Sequence, residues 1–217
     1  MRSARAAHIE QAMGWYSKYI LPKVVHFTCG LKPTMHQREK VVPRARGRVL
    51  EVGIGSGLNF PFYDATKVTK VWGLEPSPEM IRMAEPRARS LRFEVEFIGL
   101  PGDAIPLDDH SVDTVLLTYT LCTIPETTPA LQQMLRVLRP GGELIFCEHG
   151  AAPDVSVRRW QDRLNPLWKR FGGGCHLNRP IPALIEAGGF RITALETMYL
   201  PGWRPASFNY WGTAEAR

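Results

Sequence analysis

The sequence is poor in cysteine and has none of the cysteine patterns that hold small proteins together. Its 217 residues include four cysteines, and no two of them form a C-x-x-C pair. Small secreted domains rely on dense disulfides, and structural zinc sites use closely spaced cysteine pairs. We therefore expect neither a disulfide scaffold nor a metal site, and we expect a reducing, cytoplasmic setting. The cysteines are Cys29, Cys122, Cys147 and Cys175.

Long apolar runs, internal repeats and low-complexity tracts are also missing. No stretch reaches the roughly 18 to 20 apolar residues that a membrane-spanning helix needs, and no signal peptide is recognisable. No Ser/Gly-rich linker divides the chain. With 44% hydrophobic and 22% charged residues, a chain of this length can bury one sizeable core. We expect a single domain over residues 1–217.

The most informative segment is a glycine-rich turn after a short apolar run. Residues 51–59 read Glu-Val-Gly-Ile-Gly-Ser-Gly-Leu-Asn. Alternating glycines let the backbone turn sharply off a strand and approach a ligand closely. Glu75 follows a second apolar run, 22 positions after Gly53, which is the spacing at which a carboxylate reaches a ribose. The pattern predicts a site for a cofactor that contains a nucleoside.

The form of this turn distinguishes between two kinds of cofactor. The dinucleotide fingerprint is G-x-G-x-x-G, with a helix N-terminus facing a pyrophosphate. Here the glycines run G-x-G-x-G and follow an acid, Glu51. A carboxylate beside the turn would repel a pyrophosphate but can favour a cation. S-adenosylmethionine (SAM), which carries a sulfonium and no phosphate, is therefore favoured over NAD(P), and an oxidoreductase remains the alternative.

Four motifs in order over residues 48–148 resemble those of the class I SAM-dependent methyltransferases. They are residues 51–57, residues 74–77 (Leu-Glu-Pro-Ser), residues 102–113 (from Gly-Asp-Ala to Ser-Val-Asp) and residues 136–142 (Arg-Val-Leu-Arg-Pro-Gly-Gly). The resemblance implies binding of SAM and its product S-adenosylhomocysteine, with Asp103 meeting the adenine amino group. The residues expected to bind the cofactor are Glu51, Gly53, Gly55, Gly57, Asn59, Glu75, Pro76, Ser77, Gly102, Asp103, Ala104 and Thr118.

A closer resemblance involves three segments of the C-terminal half: residues 120–123, residues 146–149 and residues 174–179. They are similar to segments of a methyltransferase-like family that includes microsomal alkyl-thiol methyltransferases of animals. This resemblance implies a small apolar or amphiphilic acceptor, with a thiol favoured. A phosphatidylethanolamine-type lipid amine and a quinone are the alternatives, since methyltransferases for both look like more distant relatives. A SAM-binding module without catalysis would show the same binding motifs.

The alternation of apolar runs and helical stretches predicts an α/β fold. Parallel strands joined by helices form a doubly wound sheet. The resemblance implies a Rossmann-like sheet, seven-stranded and mainly parallel, with an antiparallel last strand. Residues 58–65 are expected to begin a helix after the glycine turn. The strands are expected at residues 48–52, 70–75, 93–98, 113–119, 143–148, 191–198 and 208–215, and the later helices at residues 78–89, 129–138, 156–171 and 180–187.

Candidates for acceptor chemistry follow the fourth and fifth predicted strands. Methyl transfer from a sulfonium needs alignment and a deprotonated acceptor. His149 ends the fifth strand, and histidine is the side chain best suited to take a proton near neutral pH. His176 and Arg179 follow three glycines, which could allow a loop to close over the site. We expect His149 as a general base, with His176, Arg179 and Tyr119 on the acceptor side.

The N-terminal segment is basic and amphipathic. Residues 1–48 contain ten Lys or Arg and two acids, a charge that can attract anions or an anionic membrane surface. No nucleic-acid recognition module accompanies it, so we expect no nucleic-acid partner. Apolar residues recur at helical spacing over residues 6–30, with a break at Pro22. We expect a helical cap over residues 1–40, a cofactor-binding core over residues 41–150 and an acceptor-side region over residues 151–217; peripheral membrane contact is the alternative for the cap. The sequence does not indicate an oligomeric state.

Overall fold

The computed structural model describes residues 14–102 and 105–217, which form a seven-stranded sheet with helices packed against it. The strand order is β3-β2-β1-β4-β5-β7-β6. Strands β1 to β5 pair in parallel, and β7 is antiparallel to both β5 and β6. The predicted fold class is confirmed. The strands are β1 (Gly47–Val52), β2 (Val68–Leu74), β3 (Glu94–Ile98), β4 (Val112–Thr118), β5 (Leu138–His149), β6 (Phe190–Tyr199) and β7 (Phe208–Ala216).

Helices connect the strands and also precede β1. A π-helical turn (Tyr16–Ile20) leads directly into the first α-helix, and short 3₁₀ turns occur at Val42–Arg44 and Phe60–Phe62. None of the helices among the described residues is both long and apolar enough to span a membrane. The α-helices are α1 (Leu21–Cys29), α2 (Lys32–Val41), α3 (Pro78–Ala88), α4 (Thr127–Val137), α5 (Val155–Phe171), α6 (Ile181–Ala187) and α7 (Arg204–Ser207).

The core lies on both faces of the sheet because neighbouring residues of a strand point to opposite sides. Leu117 of β4 belongs to an apolar cluster with Leu131 of α4 and Ile185 of α6. Its neighbour Leu116 belongs to a second cluster, which includes Ala84 of α3. Every residue of β4 is buried, as expected for a central parallel strand that is covered on both faces. Packing on both faces of the sheet holds the central strands in place, and the ends of these strands carry the predicted site.

Two predicted boundaries are wrong. Residues 58–65 form turns and the short 3₁₀ helix instead of a regular helix, and Pro61 lies in that 3₁₀ turn without an N–H to donate. Strand β5 begins at Leu138, five residues before the predicted start, because Leu138 already pairs with Val112 of β4. The register of that pair then shifts across a glycine-containing bulge. The other predicted elements agree to within two residues at each end.

The predicted break at Pro22 is a change of helix type instead of an interruption. Pro22 lies in the first turn of α1, where an N–H would have no intrahelical partner within that helix. The helical path therefore continues from Tyr16 to Cys29. Residues 1–13 of the predicted cap lie outside the described residues.

A buried amide holds the C-terminal loops together. The side chain of Gln161 on α5 is fully buried. Its Nε2 donates to the carbonyls of Gly150 (3.0 Å), Leu177 (2.9 Å) and Pro205 (2.9 Å), and its Oε1 accepts from the N–H of Ala152 at 2.9 Å. Four backbone groups, from the loop after β5, the loop after α5 and the helix α7, thus depend on one side chain.

We expect Gln161→Leu to lower the free energy of unfolding by about 2–4 kcal/mol, because it leaves several buried backbone groups without partners. Urea denaturation followed by circular dichroism measures the change. The matched control is Gln132→Leu at an exposed position of α4, for which we expect a change within about 0.5 kcal/mol. Equal effects of the two substitutions would contradict the role of Gln161.

Candidate active site

A cavity of about 530 Å³ opens at the edge of the sheet where β1, β2 and β4 end. One wall is the glycine turn after β1, a second is the segment after β2, and α1 forms the wall opposite. Ligands of open α/β sheets bind at this edge. Eight of the predicted site residues line the cavity: Gly53, Gly55, Glu75, Pro76, Ser77, Gly102, Thr118 and Tyr119. Asp103 and Ala104 lie outside the described residues.

The glycine turn can approach a ligand only because it has no side chains there. Gly53 and Gly55 have positive φ values of 73° and 54°, a conformation that favours glycine. A Cβ at Gly53 would overlap the side chain of Thr120. The turn is held by the N–H of Gly53, which donates to the carbonyl of Leu74 at 2.8 Å. The backbone of β1 is thereby fixed against the end of β2, beside the cavity.

Glu75 is a partly buried carboxylate fixed in orientation by the backbone. Its Oε2 accepts from the N–H of Gly55 at 3.1 Å, and its Oε1 accepts from the N–H of Ser77 at 2.9 Å. Burial raises the pKa of Glu75, while these two hydrogen bonds oppose the rise. Each oxygen keeps a second lone pair for a ligand. The carboxylate can therefore accept hydrogen bonds from a pair of adjacent hydroxyls.

Glu51 and Asn59 lie behind the turn and do not line the cavity. Asn59 Nδ2 donates to Glu51 Oε1 at 2.8 Å, and the Tyr63 hydroxyl donates to Glu51 Oε2 at 2.7 Å. Burial raises the pKa of Glu51 to about 7. Glu51 therefore lies outside the cavity lining, where its hydrogen bonds to Asn59 and Tyr63 brace the turn. Gly57 is also outside the lining and lies against Phe60.

Arg38 is a lining residue that the sequence did not reveal. It lies on α2, is 5% exposed, and borders the cavity. Its Nη1 donates to Asn59 Oδ1 and to Thr118 Oγ1, both at 2.7 Å. Its Nε is buried without a partner among the described residues. Arg38 is a cation positioned to meet a ligand carboxylate, and only the buried contacts distinguish it from the nine other basic residues before residue 49.

His26 is a second lining residue without a sequence motif. It lies on α1, and its Nδ1 is 2.7 Å from Ser56 Oγ in the glycine turn. Burial, together with the charge of Arg87, lowers the pKa of His26. The imidazole is therefore neutral at pH 7 and able to accept a proton. Among the histidines of the described residues, it is the one that lines the cavity.

The predicted catalytic residues separate into two groups. Tyr119 lines the cavity with a positive φ of 56°, and burial holds its pKa well above the usual value. The structure does not bring His149, His176 or Arg179 to the cavity. They lie behind the loop that follows β4, where the Arg179 side chain donates to the carbonyl of Leu121 and His176 Nδ1 contacts the carbonyl of Cys122 at 3.1 Å. Direct proton transfer from a ligand in the cavity to His149 therefore has no geometric support.

The region behind that loop also contains a cluster that the sequence spacing did not predict. Ligand atoms of Cys122, His149 and Cys175 all lie within 4.8 Å of one another. The Cys122 thiol, followed by His149, lowers the pKa of Cys175, and the contact with Cys175 raises the pKa of Cys122. The expectation of no metal site rested on sequence spacing alone, and the fold brings together three residues of metal-binding type.

The lining fits SAM at both ends. Glu75 offers oriented acceptors for ribose hydroxyls, and the Arg38 guanidinium, which borders the cavity, offers a positive charge for the carboxylate of the methionine moiety. When bound, SAM supplies a methyl group on a sulfonium, which a nucleophile can displace directly. The residues of α1 that line the cavity are then available to contact an acceptor.

Comparisons with known proteins agree with this geometry. A family model described as a methyltransferase domain matches residues 50–146. Thiol S-methyltransferase TMT1B of Homo sapiens is 36% identical over 193 residues, which are 84% of this chain and 77% of that protein. The rat TMT1B protein is 37% identical over 75% of this chain, and the match spans 65% of the rat protein.

A more distant relative and a solved structure extend the comparison. Phosphatidylethanolamine N-methyltransferase of Cereibacter sphaeroides is 36% identical over 48% of this chain and 52% of that protein. The crystal structure of a SAM-dependent methyltransferase from Methanosarcina mazei superposes with a TM-score of 0.65 at 21% identity, covering 86% of this chain and 98% of that one. The chain therefore belongs to the SAM-dependent methyltransferases, in the family that includes thiol S-methyltransferase TMT1B.

Proposed function

We propose that the protein transfers the methyl group of SAM to the sulfur of a small, apolar thiol. The observation that carries this proposal is the wall opposite the glycine turn. Its main contributors from α1 are Leu21, Val25 and Cys29, and residues 17–29 supply no acidic side chain to the described lining. An uncharged thiol can enter such an apolar space, whereas an ammonium group would find its counter-charges only on the other walls, at Glu75 and Glu126. The names of the TMT1B relatives support the same acceptor class.

The protein contributes mainly by positioning. Direct displacement requires the acceptor sulfur, the methyl carbon and the sulfonium to be aligned, and holding both reactants in one cavity favours that alignment. Glu75 and the glycine turn line one part of the cavity, and α1 lines another. A thiol has a pKa near 8.5, so a modest shift or a nearby base generates thiolate at neutral pH. His26 is the neutral imidazole in the lining that can take this proton.

The first prediction concerns the cofactor. We expect Glu75→Gln to weaken SAM binding by about 1.5–3 kcal/mol, because a charged acceptor that is held by two backbone N–H groups is lost. Isothermal titration calorimetry with SAM and with S-adenosylhomocysteine measures the change. Glu85→Gln on the exposed face of α3 is the matched control and should bind both as the wild type does. An unchanged affinity of Glu75→Gln would remove Glu75 from the cofactor site.

The second prediction concerns the acceptor. In a panel of alkyl thiols, alcohols and primary amines of equal chain length, we expect methylation of the thiols. At pH 7.5 the thiol should exceed the amine by on the order of 100-fold in kcat/KM, because the amine is almost entirely protonated. Transfer of a radiolabelled methyl group from SAM measures each acceptor. Faster methylation of phosphatidylethanolamine vesicles or of a quinol would refute the thiol assignment, while SAM binding would still show a competent cofactor site.

The third prediction concerns proton transfer. We expect His26→Gln to lower kcat for a thiol by about 10- to 100-fold at pH 7, because the substituted side chain accepts no proton. The deficit should shrink above about pH 9, where solvent already provides the thiolate. His36→Gln, an exposed histidine on α2, serves as the control and should leave kcat unchanged.

Two further results determine which histidine acts. A His26→Gln deficit that stays constant with pH would show a positioning role through Ser56 instead of proton transfer. A His149→Gln variant whose deficit vanishes at high pH would restore the sequence-based assignment of His149 as the base. Steady-state rates between pH 6 and pH 10 for both variants provide the comparison.

A further inference from the structure

Three side chains with soft or borderline ligand atoms converge behind the wall of the cavity. Cys122 belongs to the loop after β4, His149 is the last residue of β5, and Cys175 belongs to the loop after α5. The two sulfur atoms are 3.7 Å apart, and His149 Nε2 is 3.2 Å from the Cys175 sulfur. Cys122 is buried, while the other two are partly buried. The arrangement depends on the fold, since 26 residues separate even the nearest pair in the sequence.

These separations resemble those of ligands around a tetrahedral ion. Zinc binds thiolates at about 2.3 Å and imidazoles at about 2.0–2.1 Å, which puts two sulfurs about 3.8 Å apart and a sulfur and a nitrogen about 3.6 Å apart. The measured 3.7 Å and 3.2 Å are within about 0.4 Å of those values. The third pair, His149 and Cys122, lies within 4.8 Å, so those two ligand atoms would have to approach each other by at most about 1.2 Å to bind one ion.

The backbone around the ligands is held in place. The His176 N–H donates to the carbonyl of Cys122 at 2.9 Å. Glu148 Oε1 accepts from the N–H groups of Thr120 (2.7 Å) and Leu121 (3.0 Å), which fixes the start of the Cys122 loop against β5. Because neither ligand loop must be ordered anew, an ion would bind with little loss of conformational entropy.

A second feature of this region is a buried polar atom that no described side chain or backbone group satisfies. Glu148 Oε2, one position before the His149 ligand in the sequence, is buried without a hydrogen-bond partner among the described residues. Unpartnered polar atoms are costly in a buried environment, and ions or ordered water commonly account for them. A divalent cation would also balance two thiolates and be stabilised by the Glu148 carboxylate.

We propose that Cys122, His149 and Cys175 form a binding site for a zinc-class divalent ion. Three protein ligands leave the fourth tetrahedral position to solvent. The ion would link the loop after β4 to the loop after α5. Those loops also contribute Thr123 and Gly173 to the lining of the cavity. The site therefore stabilises the acceptor-side wall. Whether the ion binds does not depend on which acceptor the protein methylates.

The test uses the full chain, freed of metal by a chelator and kept under reducing conditions. Co²⁺ is the probe, because thiolate coordination gives a near-ultraviolet charge-transfer band and tetrahedral geometry gives visible absorption. We expect one equivalent to bind and Zn²⁺ to displace it. Cys122→Ser and Cys175→Ser should bind at least about 100-fold more weakly, because each loses a thiolate ligand. Cys147→Ser, a buried cysteine of β5 outside the cluster, should bind as the wild type does.

A second measurement guards against variants that fold poorly. Zn²⁺ should raise the thermal unfolding midpoint of the wild type and of Cys147→Ser, but not that of the two cluster variants. Absence of the charge-transfer band in folded wild-type protein would overturn the proposal. Equal Co²⁺ affinity in all four proteins would overturn it as well. A metal-free protein that loses two mass units on air oxidation and never binds Co²⁺ would identify the pair as a disulfide-forming dithiol instead.

Discussion

The site depends on a buried hydrogen-bond network that joins α2, the glycine turn and the end of β4. Arg38 donates to both Asn59 and Thr118, and Asn59 in turn donates to Glu51 and Thr118. All four residues are at least 95% buried. The two hydrogen bonds from Arg38 Nη1 stabilise this buried charge, because hydrogen bonds to a charge are stronger than those between neutral groups, although Arg38 Nε has no partner among the described residues. Removal of any partner would leave a buried polar group unpaired.

This network explains why the N-terminal helices belong to the active site. Arg38 fixes α2 against the sheet, and α1 precedes α2 by two residues. The position of α1 across the cavity from Glu75 follows from that short connection. His26 then meets Ser56 of the glycine turn at 2.7 Å, so the wall and the turn contact each other directly. The cofactor and acceptor regions share one cavity because one short helical segment covers both.

The electrostatics of the cavity divide it into two functional ends. Glu75 presents a carboxylate whose oxygens are held by backbone N–H groups, and Arg38 presents a guanidinium held by neutral partners. These two charges suit the hydroxyls and the carboxylate of SAM. The apolar surface of α1 contains no acid, so it favours an uncharged acceptor that becomes anionic only on reaction. The proposed metal ligands Cys122, His149 and Cys175 belong to neither end, because they do not line the cavity.

The sequence by itself determined the sheet, its order of elements and the cofactor edge. Periodic apolar runs and the positive-φ glycines are local properties, and the position of Glu75 follows from the parallel pairing of β1 and β2. A regular helix does not form at residues 58–65, where Pro61 lies in a short 3₁₀ turn without an N–H to donate, and the buried contact of Asn59 with Glu51 is one that no local pattern encodes.

Tertiary structure alone decided the inward direction of Arg38 and His26, since basic and histidine residues on helices usually face solvent. It also decided the convergence of Cys122, His149 and Cys175. These residues come from three loops or strand ends, and only the packing of β4, β5 and α5 brings their side chains within reach of one another.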